Sequence, residues 1–452
     1  MNPLWTCEEI AHACDGERHG RFACNNVAFD SREVAPGALF VALKGTQADG
    51  HDYIDSAIER GAAGALVSRP VPHPHVLVPD TQAGLEALGR VGRVRALSAA
   101  VVGVTGSVGK TTTKELIRAC FEPQGPTHAS VKSYNNHTGV PLSLARMPSE
   151  TRWAVFEMGM NHAGEIAALT EQVRPDVAVI TWIAPAHIEN LGSLEAIAEA
   201  KAEIFLGLER GGAAIYPAEA PHADLLLKRA RDKTSVVLSF GLGPSADIRP
   251  ETLIETEDGS LFELVFDGVR YSVRVPQPGR HRVLNALAAL AAVSAAGADV
   301  GVAVDAIGRS TELAGRGARR TIALFGGGEA LLIDESYNAN PASMAAALAV
   351  LEALAAPRKL AVLGAMRELG GFSDQYHREL APLIERAGVS HAILVGPEME
   401  PLAAELPGAV HVGGWQDALA TVSELLADGD AVLVKGSNSV ELARLVAALE
   451  GR

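Results

Sequence analysis

Val101-Val102-Gly103-Val104-Thr105-Gly106-Ser107-Val108-Gly109-Lys110-Thr111-Thr112-Thr113-Lys114-Glu115 is the stretch from which the rest of the chain can be read. A β-branched run leads into a glycine-rich turn, then Gly-Lys-Thr, then a helical pattern. Small residues let backbone N–H groups approach phosphate oxygens, and the helix N-terminus aims its partial positive charge at them. In such a loop Lys110 reaches the outer phosphates and the Thr111 hydroxyl sits on Mg²⁺. The spacing departs from GxxxxGK[ST], which needs glycine where Val104 stands, so the tight segment runs from Thr105 to Thr111. A strand before it and a helix after it distinguish it from a chance Gly-Lys-Thr. A protein that binds ATP or GTP is expected.

Outward from this loop, Trp153 to Met158 and Val177 to Ile183 read as further strands. Thr112 to Cys120, Ala163 to Gln172 and Leu194 to Glu209 read as helices between and after them. This βαβ order predicts a parallel sheet with ligands at the carboxyl ends of its strands. Ile254 to Val275 alternates around Asp258-Gly259 and Asp267-Gly268, which predicts an antiparallel edge, and His281 to Ala296 reads as a helix. Upstream, residues 1–98 form a mixed α/β unit in which Pro70 to Pro79 reads as an extended connection. From about Ala318 the pattern restarts, with strands near 330–333, 359–363, 391–395 and 431–434 and helices at Ser343 to Leu354, Tyr376 to Ala387 and Asp417 to Leu426. Three domains follow: 1–98, 99–317 and 318–452.

The net charge of −15 argues against non-specific binding to nucleic acid. No stretch is apolar enough to insert in a membrane, and the first residues carry Glu8, Glu9 and Asp15 rather than a basic start, so a cytoplasmic protein is expected. Four cysteines without a CxxC pair fit a reducing compartment.

Several side chains carry candidate chemistry. Glu157 ends a strand beside the loop, where a carboxylate holds Mg²⁺ or is simply solvated. His187 stands at a strand mouth, as many surface histidines do. Lys201, flanked by Glu199 and Glu203, reads by itself as a solvated helix residue. Asn285 lies in an apolar helix, where its amide needs a partner: a purine edge or another helix. Arg316, Arg319 and Arg320 sit at a domain junction, matching phosphates or forming a basic linker. Asp334 to Pro341 is a polar loop after a strand, a place where function concentrates.

In this order, Thr105 to Thr112, Glu157-Met158-Gly159, His187, Lys201, His281 with Asn285, and Asp334 to Pro341 resemble the Mur ligase family, the ATP-dependent amide-bond ligases of peptidoglycan precursor synthesis. The resemblance covers the whole chain. It implies an α/β protein with an N-terminal UDP-binding domain, a central P-loop ATPase-like domain and a C-terminal Rossmann-like domain that closes over ATP. It implies that Thr105, Gly106, Ser107, Val108, Gly109, Lys110, Thr111 and Thr112 hold ATP, with Asn285 on adenine, Arg316 on the phosphates and Glu335 on the ribose. Thr111, Glu157, His187 and a carbamylated Lys201 are the implied metal residues; Lys110, Lys201 and His187 are the implied catalytic ones. Ser31 and Arg32 match a uridine diphosphate contact, and Asn135, Asn136, Thr138, Tyr337 and Asn338 face the remaining substrate. The strings Ser133 to Leu142 and Asp334 to Pro341 point, within the family, to addition of D-alanyl-D-alanine to UDP-N-acetylmuramoyl-tripeptide; a monomer is expected. The Asp-Asn-Pro-Arg motif of relatives that add the third residue is not found. Two departures stand out: Ala365 where many relatives carry Asp, and Asn438 where they carry Arg. The alternatives are a third-residue-adding or folylpolyglutamate synthase-like ligase, or a nucleotide-dependent binding protein that performs no ligation.

Overall fold

The computed structural model describes residues 3–46, 48–324 and 326–451. Its architecture is α/β, built on three main sheets.

The central sheet has six parallel strands in the order Val236–Phe240, Ala213–Pro217, Val177–Ile180, Ala100–Thr105, Trp153–Glu157 and Thr127–Ala129. The phosphate-loop strand lies inside it, its residues 101, 102 and 104 wholly buried, as a near-continuous apolar run requires. Register then decides the site. Glu157 pairs with Val104, and Ile180 with Thr105, so three strands end level with the loop. The helix Arg280–Ala295 is buried on nearly every side, which explains its alanine-rich, almost uninterrupted apolar run.

The N-terminal sheet runs Glu17–His19, His75–Leu77, Gly64–Val67, Ala38–Val41, Asn26–Ala28, with only the first pair antiparallel. The extended connection expected over 70–79 is therefore in part a strand: His75 and Val76 are buried between two partners. The C-terminal sheet runs Ala318–Ala323, Glu329–Glu335, Ala431–Lys435, Lys359–Gly364, Val389–Val395, Val410–Val412, parallel beyond its first pair.

Three further expectations change. The strands Thr252–Thr256, Gly259–Phe266 and Val269–Val275 form a separate antiparallel sheet rather than an edge of the parallel one; its inner face (Phe262, Leu264, Val273) joins the core around the 280–295 helix. The single helix expected over 376–387 is two, Ser373–Arg378 and Ala381–Arg386, with Pro382 in the first turn of the second, where a missing N–H costs nothing. The helix from Leu194 stops at Ala202 and tightens into a 3₁₀ turn, Glu203–Gly207; at Gly207 a Cβ would meet the Thr170 carbonyl at 2.3 Å. No helix among the described residues is long and apolar enough to cross a membrane, and the four cysteines are unpaired.

Candidate active site

The helix Lys110–Phe121 starts at Gly109, whose φ of +84° favours glycine. Gly106 stands at φ +153°, and a Cβ there would lie 1.9 Å from Thr181 Oγ1. The loop is pinned from the neighbouring strand end. Thr181 Oγ1 donates to the carbonyls of Val108 (2.5 Å) and Thr105 (3.2 Å), and Ser107 Oγ donates to the Ala184 carbonyl (2.8 Å). Lys110 folds its Nζ onto the Gly106 carbonyl at 2.6 Å, and burial lowers its pKa. A cation held at the loop rim beside free helix N–H groups is an anion cradle.

Glu157 is 1 % exposed, so it is not a solvated strand end. Its carboxylate accepts from Thr111 Oγ1 (2.7 Å) and from Asn135 Nδ2 (2.8 Å), while Ser133 Oγ lies 3.3 Å from the same threonine. His187 lies at the cleft wall at φ +59°, with Nδ1 2.5 Å from Glu368 Oε2. Among the described residues no three His, Cys, Asp or Glu side chains gather into a metal cage. A buried carboxylate, a hydroxyl and an imidazole at an open cleft do fit Mg²⁺, which keeps places for water and phosphate oxygens.

Lys201 is 1 % exposed and thus no solvated helix residue; the acids flanking it point elsewhere, Glu199 to Arg229 and Glu203 to the N–H groups of Gly164 and Ala167. Burial drives its pKa well below the ordinary lysine value, and Lys110 adds repulsion.

Across the loop, the C-terminal unit closes a cleft of about 520 Å³. Arg316 stacks over the Tyr337 ring (4.0 Å to its centroid) and reaches Ser133 Oγ at 3.4 Å. Lys435, buried, donates to the Asn338 carbonyl (2.9 Å) and lies 3.4 Å from Glu335 Oε2; Arg282 approaches the other Glu335 oxygen at 3.8 Å. Three cations thus line the cleft together with the phosphate loop's own lysine. Asn285 lines the same cleft, accepts from Thr113 Oγ1 (3.3 Å), and would touch a Cβ at Gly109.

Other sequence candidates do not line this cleft. Arg319 and Arg320 turn away from the cleft, to the Glu257 carbonyl and to Glu450. Asn136 caps the helix Gly139–Ala145 by accepting from the N–H groups of Thr138 and Gly139, and Thr138 Oγ1 meets Gln82 at 3.3 Å. Ser31 and Arg32 lie on a surface 3₁₀ turn, Arg32 83 % exposed and paired with Asp30. Next to them, Glu33 accepts from the Tyr134 hydroxyl and pairs with Lys132, joining that turn to the 132–135 loop. Reading the sequence alone missed Ser133, Thr181, Arg282 and Glu368, since each acts only through distant partners; Thr181, ending a strand beside the loop, was the most accessible.

Three family models match the chain in order: "Mur ligase family, catalytic domain" over 24–95, "Mur ligase middle domain" over 104–293 and "Mur ligase, glutamate ligase domain" over 319–438. The chain belongs to the Mur ligase family. Mur ligases are ATP-dependent, and this one has the loop for it. Among its relatives is the UDP-N-acetylmuramoyl-tripeptide–D-alanyl-D-alanine ligase of Bacillus subtilis, 36% identical over 438 residues, covering 93% of this chain and 92% of that protein. A crystal structure of MurF from Acinetobacter baumannii is similar, with a TM-score of 0.88 and 30% identity, covering 99% of both chains. The MurF ligase of Thermotoga maritima in complex with ADP has a TM-score of 0.78 and 26% identity, covering 94% of this chain and 97% of that one.

Proposed function

We propose that this chain is the ligase that joins D-alanyl-D-alanine to UDP-N-acetylmuramoyl-tripeptide. The observation that carries the reading is the cleft itself: a phosphate loop with Glu157 and His187 on one wall, Arg316 and Lys435 on the other. End-to-end similarity to UDP-N-acetylmuramoyl-tripeptide–D-alanyl-D-alanine ligases supports this choice of substrates.

The residues divide the work. Lys110, Arg316 and the loop N–H groups hold the triphosphate in line with the tripeptide carboxylate. A carboxylate oxygen attacks the γ-phosphorus, ADP leaves, and an acyl phosphate forms. The dipeptide amine then attacks the acyl carbon, the C–O bond to phosphate breaks, and the amine loses a proton. Thr111, Glu157 and His187 would hold Mg²⁺, which would supply charge neutralisation on the phosphates. Asn285 faces the adenine and Glu335 the ribose, while Ser31 and Arg32 hold the uridine diphosphate end. Asn135, Tyr337 and Asn338 face the peptide.

Lys201 is carbamylated in this reading. Burial favours the unprotonated amine, the form whose nitrogen adds to CO₂ with loss of a proton, and the carbamate turns a cation-forming group into a carboxylate-like ligand. The units 1–98, 99–317 and 318–452 are the moving bodies of a cytoplasmic monomer.

The test is phosphate release from ATP and Mg²⁺ with UDP-N-acetylmuramoyl-tripeptide, with and without D-alanyl-D-alanine. Release requiring both, with pentapeptide formed, is expected. Release indifferent to the dipeptide sinks the assignment. A ¹³C-bicarbonate-derived carbamate resonance that disappears in Lys201→Met tests the adduct.

A further inference from the structure

The loop entering the cleft from the C-terminal sheet carries a carboxylate to which the proposed function gives no task. Glu368 follows the strand Lys359–Gly364 and stands at φ +63°, in the left-handed region that a glutamate rarely adopts. Its loop is braced from behind. The Met366 N–H donates to Nε2 of buried His377 (3.0 Å), the Arg367 N–H donates to Ser437 Oγ (3.0 Å), and the Arg367 guanidinium pairs with Glu398.

From this platform Glu368 reaches the central unit twice. Its carbonyl accepts from the Glu189 N–H at 3.2 Å, and its Oε2 lies 2.5 Å from His187 Nδ1. That nitrogen is buried and finds no aligned hydrogen bond among the described residues, so the off-axis carboxylate is the group at hand for it. At Gly370 a Cβ would lie 3.0 Å from the Glu189 side chain, so the two units approach closely along this seam. His187 is itself at φ +59°, ahead of the short helix Ile188–Leu191. Two left-handed non-glycine residues facing each other across a seam are the kind of strain that persists where function demands a fixed geometry.

We propose that Glu368 is a positioning residue: its carboxylate holds the proton on His187 Nδ1, leaving the Nε2 lone pair for the cation of the cleft. The metal site is then complete only when the C-terminal unit is docked. An imidazole ligates through one nitrogen while the other carries the proton, and a carboxylate on that proton fixes tautomer and ring orientation. Here ring and carboxylate belong to different units, so docking and metal-site assembly become one event. This inference rests on His187 facing the metal.

The experiment is Mn²⁺ binding to the ADP complex of the full chain, read from the electron paramagnetic resonance of free Mn²⁺, without turnover. Glu368→Ala is expected to weaken Mn²⁺ binding about 10–100-fold, the usual loss on removing a ligand's orienting partner. Metal-free ADP affinity stays unchanged, which also reports an intact fold. Glu368→Gln recovers part of the loss, because its amide oxygen still accepts from Nδ1–H; if the alanine variant does not fold, Glu368→Leu, of similar bulk but with no acceptor for Nδ1–H, decides, and wild-type Mn²⁺ affinity in it overturns the proposal. His187→Ala separates the two readings. If it leaves Mn²⁺ affinity unchanged, the metal-facing role of His187 fails. If it weakens binding while Glu368→Ala does not, the positioning role alone is overturned.

Discussion

Gly106→Ala should empty the nucleotide site while leaving the protein folded. The added Cβ lies 1.9 Å from Thr181 Oγ1 and 3.1 Å from both Thr181 Cβ and the Trp182 nitrogen. Thr181 cannot simply turn aside, because its hydroxyl holds the Val108 and Thr105 carbonyls in place. Overpacking of this kind costs about 1–3 kcal/mol, each lost hydrogen bond about 1 kcal/mol, and an alanine at φ +153° adds about 1–3 kcal/mol of backbone strain. The loop escapes most of that cost by leaving its phosphate-binding shape, so about 4 kcal/mol appears as lost affinity, close to a thousandfold. Calorimetric titration with ADP and Mg²⁺ measures it. Thr181→Ala in the same chain removes the overlap with Oγ1 but neither the two 3.1 Å contacts nor the strain, so Gly106→Ala/Thr181→Ala should regain about 1–2 kcal/mol over Gly106→Ala alone. ADP affinity within threefold of the parent in Gly106→Ala, or no recovery in the double variant, would refute the reasoning.

Other outcomes follow from the same geometry. Lys201→Met replaces a buried amine by an apolar chain of similar length; stability by urea titration should hold or rise by about 1 kcal/mol, while phosphate release falls about a hundredfold or more. His128 and His281 are held neutral by burial, their pKa values lowered to about 4 and about 3. Because the unfolded chain takes up those protons first, stability is present at pH 7 and is lost as pH falls below about 6.5, by up to about 2 kcal/mol per group at pH 5. His128→Gln should flatten that slope in urea midpoints between pH 7 and 5, and an unchanged slope counts against the assignment. Asn285→Leu strands the Thr113 hydroxyl and removes the proposed adenine contact, so ADP should bind about 5–30-fold more weakly in the same calorimetric assay.

Much of the architecture was legible because it rests on local rules. The β-branched run at 101–104, the glycine-rich turn and the strand–helix alternation each follow from short-range sterics and periodicity, and they mark the parallel sheet and its phosphate loop. Boundaries moved where partners intervene: His75–Leu77 is a strand only because two neighbours pair with it, and Ile254 to Val275 forms its own sheet because its inner face belongs to the core of the 280–295 helix. The site divides the same way. By itself the sequence determined which residues could cradle phosphate, since Gly106, Gly109, Lys110 and Thr111 act within one turn. Tertiary structure decided the rest. It set Glu157 level with Val104, buried Lys201 and stripped it of its flanking acids, turned Arg316 inward and Arg319 and Arg320 away, and brought Glu368 to His187. Burial and long-range proximity arise from packing between distant segments, and local spacing carries no record of them.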